Sequence, residues 1–206
     1  MIKRNAALTV GGLLLIAAAL SLIIYNLYDE YRAGRSAEKA VVQIEQVRPE
    51  ESAPAGSPDL SEESVVPDYV LNPDMEMPIQ TIDGQDYIGV LSIPALDMEL
   101  PIIGEWSYPN LKIAPCRYHG SVYSGELVIA GHNYRSHFGP LKDLAEGDAV
   151  YFTDMAGNVF TYTVSLCEIL NPTDVDKMTG GWDLSLFTCT LGGTYRETIR
   201  CSLNKT

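Results

Sequence analysis

Asp183-Leu-Ser-Leu-Phe-Thr-Cys189, the turn Thr190-Leu-Gly-Gly-Thr194 and, after Tyr195-Arg-Glu197, the run Thr198-Ile-Arg-Cys-Ser-Leu203 decide the reading of this chain. The first segment is apolar enough to be a core strand and ends in a Cys. A Gly-Gly turn follows, and the chain then returns in a second β-type run. Working backwards, short runs of the same texture recur at Tyr87–Ile93, Glu99–Ile103, Glu126–Ala130, Ala149–Thr153 and Val159–Cys167. Gly pairs at 125, 147 and 157 punctuate them, and Phe138–Leu144 is the one convincing short helix. Seven or eight short strands in about 125 residues predict a mostly β domain, closed as a barrel or stacked as a sandwich.

Before residue 79 the texture changes. Pro49 to Pro78 holds half of the chain's twelve prolines and eight acidic residues with no basic one, a composition that reads as a solvated, extended linker. It is expected to hold the domain away from a bilayer. Asp29 to Val47 places Ala37, Ala40, Val41, Ile44 and Val47 at near-helical spacing and predicts a juxtamembrane helix. Ala6 to Tyr25 is uncharged and long enough to cross a ~30 Å hydrocarbon core. With Lys3 and Arg4 before it, it predicts a single-pass signal anchor with the rest of the chain outside. A cleaved signal peptide with Ala17–Ala19 as its cleavage site is the competing reading, but the apolar run continues through Ile24. The expected organisation is a cytoplasmic tip and membrane anchor at 1–28, a juxtamembrane helix and linker at 29–78, and a catalytic domain at 79–206.

A formal charge of -13 disfavours nucleic acid as a partner, since phosphate binding needs clustered cations. Four cysteines without a C-x-x-C pair indicate neither a structural zinc site nor a thioredoxin-type centre. His119, His132 and His137 lack the spacing of a zinc helix, and no cofactor or metal, calcium included, is implied. Whether Cys116, Cys167 and Cys201 include a disulfide stays open at this point.

A thiol becomes a strong nucleophile as thiolate, which a neighbouring cation or imidazole favours. His132 follows the apolar run Leu127-Val-Ile-Ala-Gly131, where Gly131 permits a close approach, and Arg196 opens the run after the Cys turn. Taken singly, each has a structural reading: a buried thiol, a satisfied polar His, a solvated edge Arg. Arg200 is the rival for the arginine role.

Together these residues resemble a known family. Ser185-Leu-Phe-Thr-Cys189 is similar to the T-L-x-T-C signature of the sortases, with Ser at the leading Thr, and Ala130-Gly-His132 resembles their histidine segment. Arg196 falls where the sortase arginine belongs, and Ile88–Pro94 and Leu100-Pro-Ile102 resemble the opening strands, so the similarity covers roughly 79–206. Class A or D types are nearer than class B, because the linker runs almost directly into the first strand. There is no Asp-Pro-aromatic lid, although Asn72-Pro-Asp-Met75 could fold back over the groove.

The resemblance implies an eight-stranded sortase-type β-barrel with short helices, preceded by the transmembrane helix. It implies a cysteine transpeptidase that cleaves an LPxTG-like sorting signal on a partner protein through a thioacyl enzyme. The acyl group would pass to an amine of the cell-wall precursor or a pilin. Cys189 would be the nucleophile, His132 the acid and base, and Arg196 the oxyanion and backbone donor. Thr188 would help shape the substrate groove, and Trp182, just before the Cys strand, is expected either at the groove edge or in the core. Two readings compete: another exported Cys-His peptidase acting on peptidoglycan, and a membrane-tethered binding module with an inert thiol. Papain-like enzymes place Cys before His, however, and the Ser-x-Gly-Cys segment of L,D-transpeptidases is missing here.

Overall fold

The computed structural model describes residues 2–47, 67–190 and 192–204. Residues 49–66 of the linker expected at 49–78 therefore lie outside the described residues.

Nine strands form the β part among the described residues: β1 (Gln80–Ile82), β2 (Gln85–Ile93), β3 (Met98–Ile103), β4 (Cys116–His119), β5 (Leu127–Ala130), β6 (Ala149–Asp154), β7 (Val159–Leu170), β8 (Leu184–Cys189) and β9 (Arg196–Leu203). Alternating burial in β6, with Val150, Phe152 and Asp154 inside, is the period-2 signature of a sheet with one face in a core. The central β8 is buried along Leu184, Ser185 and Leu186. In the ring order β2-β3-β4-β5-β8-β9-β7-β6, the last strand pairs back onto β2, so the sheet closes as an eight-stranded barrel. The expected fold class is thus observed. Closure leaves the eight ring strands without a free edge, and Leu91, Ile102, Leu127, Ile129, Phe152, Leu186 and Ile199 fill the interior.

Two strands escape the sequence reading. β1 joins β2 through Asp83-Gly84, both at positive φ (50° and 79°), the Asp-Gly hairpin turn whose backbone matches strand twist. β4 is four residues of mixed polarity, placed by a parallel bridge to β3 and an antiparallel ladder to β5.

The predicted anchor and juxtamembrane helix form one continuous helix, α1 (Ile2–Val47). Its outer part is long and apolar enough to cross a membrane. Its inner part buries Ala33, Ala37, Ala40 and Ile44 on the barrel, where Ala40 and Ile44 cluster with Ile82, Tyr87, Ile103 and Ala114. The small Ala side chains let helix and sheet approach closely. Lys39 adds an exposed ion pair to Asp83 at 2.6 Å. The helix that leaves the apolar segment thus lies directly on the barrel.

Segment 67–78 is not a lid. Tyr69 stacks on Tyr123 (4.8 Å) and tilts on Phe160, while Met77 enters the core. Phe160 lies near the start of β7, whereas Leu170 at its other end pairs with Arg196. Ten residues of strand at ~3.3 Å each separate this segment's contacts from the Cys189 end of the barrel.

Candidate active site

The parallel pair β5–β8 carries two of the three expected residues off the same end of the barrel. Ala130 is level with Phe187, and the Gly131 N–H still donates to the Phe187 carbonyl at 3.0 Å, so His132 leaves β5 beside Cys189 at the end of β8. The third comes from the antiparallel neighbour, where Cys189 and Arg196 are directly paired across β8 and β9. Gly131 is required at the exit: a Cβ there would lie 2.4 Å from the Phe138 ring. The loop after His132 closes on itself, with the Phe138 N–H donating to the His132 carbonyl at 3.0 Å.

Cys189 and Thr188 sit between two hollows. One, of about 270 Å³, is lined by an aromatic wall on one side and by Asn171, Pro172, Val175 and Met178 on the other, with Arg196 at its edge. In the wall Trp106 meets Tyr118 edge-on at 5.9 Å, and Tyr118 meets Phe187 edge-on at 5.2 Å. The second hollow, of about 710 Å³, lies on the other side of Thr188 and Cys189 and carries Asn133, Arg135, Lys142, Asp143 and Glu197. The Thr188 hydroxyl is buried without a hydrogen-bond partner, so its polar capacity is unspent beside the thiol.

All four cysteines are free thiols. Burial pushes Cys116 and Cys201 up to about 12, which makes them inert packing groups, whereas Cys189 is half-buried at the groove. His132 stacks on Tyr134 at 3.8 Å with 9° between the planes, and its Nδ1 lies 3.0 Å from Asn133 Oδ1. An amide oxygen only accepts, so Nδ1 carries the proton there and Nε2 is left for exchange. Burial lowers the proton affinity of His132, while the Asn133 bond and the Asp29 charge act to raise it. The Arg196 guanidinium donates to the carbonyls of Gly193 and Tyr195, each at 3.2 Å. Among the described residues no hydrogen bond joins His132, Cys189 and Arg196 to one another.

Arg200 points elsewhere. It is 1% exposed and donates to Glu168 (2.8 Å), Ser185 (2.8 Å) and the carbonyls of Met178 (3.1 Å) and Lys177 (2.5 Å). It thereby ties segment 171–178, one wall of the smaller hollow, to the barrel. Trp182, expected at the groove edge, is a correction: it precedes the start of β8 and lines a separate hollow with Ser124, Glu126 and Ser202. The sequence reading missed Asn133 and Tyr134, although they adjoin His132, and it missed the aromatic wall, signalled by Trp106-Ser-Tyr108 between two strand runs.

A family model described as a sortase domain matches residues 91–204. Sortase A of Bacillus anthracis is 25% identical over 195 residues, covering 91% of this chain and 89% of that protein. Sortase A of Listeria monocytogenes is 26% identical over 114 residues, covering 52% of this chain and 51% of that protein, so the match spans about half of that relative. Of solved structures, sortase C of Clostridium perfringens SM101 superposes with a TM-score of 0.51 at 25% identity, over 59% of this chain and 71% of that one. A sortase C of Streptococcus pneumoniae shares the fold with a TM-score of 0.54 at 24% identity, over 64% and 72%. The family model spans more than half of a chain whose barrel already has the expected closure, and this protein belongs to the sortase family.

Proposed function

We propose that this chain is a membrane-anchored cysteine transpeptidase that cleaves an LPxTG-like sorting signal and joins the freed acyl group to an amine of the cell envelope or a pilin. The observation that carries this reading is the position of Cys189, between two hollows, with Arg196 paired across from it and His132 leaving the adjacent strand. The Cys189 thiolate attacks the scissile carbonyl carbon, and the C–N bond breaks as imidazolium Nε2 of His132 gives its proton to the departing amine. A second amine then attacks the thioester, its proton passes to His132, and the thiolate leaves. A resting contact between His132 and Cys189 is not needed, because catalytic hydrogen bonds often tighten only with substrate bound. Arg196 swings its fork from the Gly193 and Tyr195 carbonyls to the developing oxyanion and the substrate backbone. Thr188, with its unspent hydroxyl, supplies a further polar contact to the acyl segment.

The smaller, apolar hollow suits the sorting peptide, and the larger charged one suits the incoming amine. Topology completes the reading: residues 1–28 are the cytoplasmic tip and anchor, 29–78 the juxtamembrane helix and linker, and 79–206 the catalytic domain outside the membrane. The test is to incubate the full chain with fluorogenic LPxTG-like peptides and with diglycine or diaminopimelate-type amines, scoring hydrolysis and ligation separately. Ligation that consumes both partners is expected; neither cleavage nor ligation across the library would reject the reading.

A further inference from the structure

The His132 loop makes its firmest outside contacts with α1, about a hundred residues earlier in the chain. Tyr134 Oη donates to Asp29 Oδ2 at 2.5 Å, and Arg32 donates to the other oxygen of the same carboxylate at 2.9 Å. The Arg135 N–H donates to Glu30 Oε1 at 2.9 Å, and the Ser136 hydroxyl to the Glu30 carbonyl at 3.4 Å. Gly34 lets the helix come this close, since a Cβ there would lie 2.9 Å from the Ser136 Cβ. Ala33 and His137 are fully buried, and the His137 ring tilts on Tyr134 at 5.5 Å. Four successive loop residues, 134–137, are thus engaged beneath one turn of helix, and the first of them carries the ring stacked on His132.

We propose that the membrane-proximal turn of α1 is a positioning element of the active site: Asp29, by accepting the Tyr134 hydroxyl, fixes the phenol ring that orients the His132 imidazole, and Glu30 pins the loop behind it. Stacking at 3.8 Å fixes the plane of the imidazole, and the Asn133 bond fixes which edge is free. Neither contact holds the ring still unless Tyr134 is itself held, and its hydroxyl is anchored on the helix. A hydrogen bond to a carboxylate is about twice as strong as a neutral one, so this anchor outweighs the loop's own single bonds. Because Asp29 stands only four residues past Tyr25, about 6 Å of helix separates the loop's anchor from the apolar segment. The orientation of the imidazole is therefore built by the anchor and not by the barrel alone.

The test uses the full chain in nanodiscs. With only three histidines, the Hε1 signal of His132 is assignable and its titration can be followed without any substrate. The groups facing His132 are Asp29 from α1, Lys112 from the segment before β4, and Tyr134 and His137 from its own loop. Tyr134→Ala uncovers the ring and is expected to move the His132 midpoint up, while Asp29→Asn removes an attracting charge and moves it down. Tyr134→Phe, which keeps the ring, is expected to give a smaller midpoint shift than Tyr134→Ala. In single-turnover acylation Tyr134→Ala loses about tenfold in rate, within the ~100-fold that a 1 Å misplacement can cost, at unchanged peptide KM. Tyr134→Phe recovers most of that loss.

Opposite midpoint shifts at unchanged melting temperature support the proposal. A parent-like midpoint in Asp29→Asn and in a folded Tyr134→Ala overturns it, as does a common shift that follows lost stability. Should Tyr134→Ala fail to fold, a parent-like Asp29→Asn midpoint alone overturns it. The titration does not depend on catalysis, so a parent chain inactive on peptides would indict the transpeptidase reading and leave this one standing.

Discussion

Cys189 and His132 face the same end of the barrel but are held by different means. Cys189 closes a ladder in which every residue of β8 from Leu184 to Cys189 has a partner on β9, and its position follows from strand register alone. His132 has left its strand, and its ring is held by Asn133 and Tyr134, the latter fastened to α1. The contrast teaches that the proposed nucleophile is placed by the fold and the proposed acid–base group by an addition to the fold. Changes on the β8–β9 side should alter chemistry or barrel stability; changes on the loop side should alter protonation and docking.

The largest expected effect is on the strand side. Cys189→Ala should abolish thioacyl formation while leaving the melting temperature within a degree or two; residual peptide turnover above the uncatalysed rate would remove Cys189 from its role. Next comes the wall of the smaller hollow. Arg200→Met leaves a partly exposed Glu168 carboxylate to water and strands the Lys177 and Met178 carbonyls, and a buried acceptor left unpaired costs about 1–3 kcal/mol. Denaturant unfolding should read that loss, and a change under 1 kcal/mol would show that the wall stands without it.

On the loop side, His137 is fully buried, and burial lowers its pKa from 6.5 to about 4. An unfolded or undocked chain then binds a proton at higher pH than the folded one does. Stability should therefore be complete above pH 6.5 and fall as the pH drops towards 4, by up to about 3 kcal/mol. Asp29, whose carboxyl the Tyr134 and Arg32 hydrogen bonds hold below its ordinary value, adds a further loss only below 3.8. Melting curves from pH 7 to 4 should flatten in His137→Leu; an unchanged slope would place the proton elsewhere. The smallest effect expected is that of Arg196→Lys. A point charge replaces a planar fork, and removing an oxyanion donor costs about 100-fold in rate with the thiol still able to attack. Normal turnover would shift the arginine's role to another residue.

The same contrast explains what the sequence allowed one to read. Alternation in Ala149-Val-Tyr-Phe-Thr153 and the apolar run into Cys189 are local signals, and both became strands where expected, the first one residue longer. β4 stayed hidden because Arg117, Tyr118 and His119 offer no apolar run and take their conformation from flanking strands. β1 was readable from Asp83-Gly84, but three residues are too short to carry a periodicity. Trp182 was misplaced because nearness along a strand is distance in space: seven residues before Cys189 is roughly 23 Å of extended chain. The spacing of Ala37, Ala40 and Ile44 predicted a helix, and the structure buries that face on the barrel. Nothing in that spacing says that its neighbours Asp29 and Glu30 would meet Tyr134 and Arg135, since contacts across a hundred residues leave no local mark.

The most direct test of the mechanism is intact-mass spectrometry of the full chain, quenched within its first turnover of an LPxTG-like peptide in the absence of added amine. The mechanism predicts one added acyl fragment, ending at the Thr of the signal and mapped to Cys189, which disappears when diglycine is supplied. Cleavage with no adduct, or an adduct on Cys116, Cys167 or Cys201 instead, would contradict it.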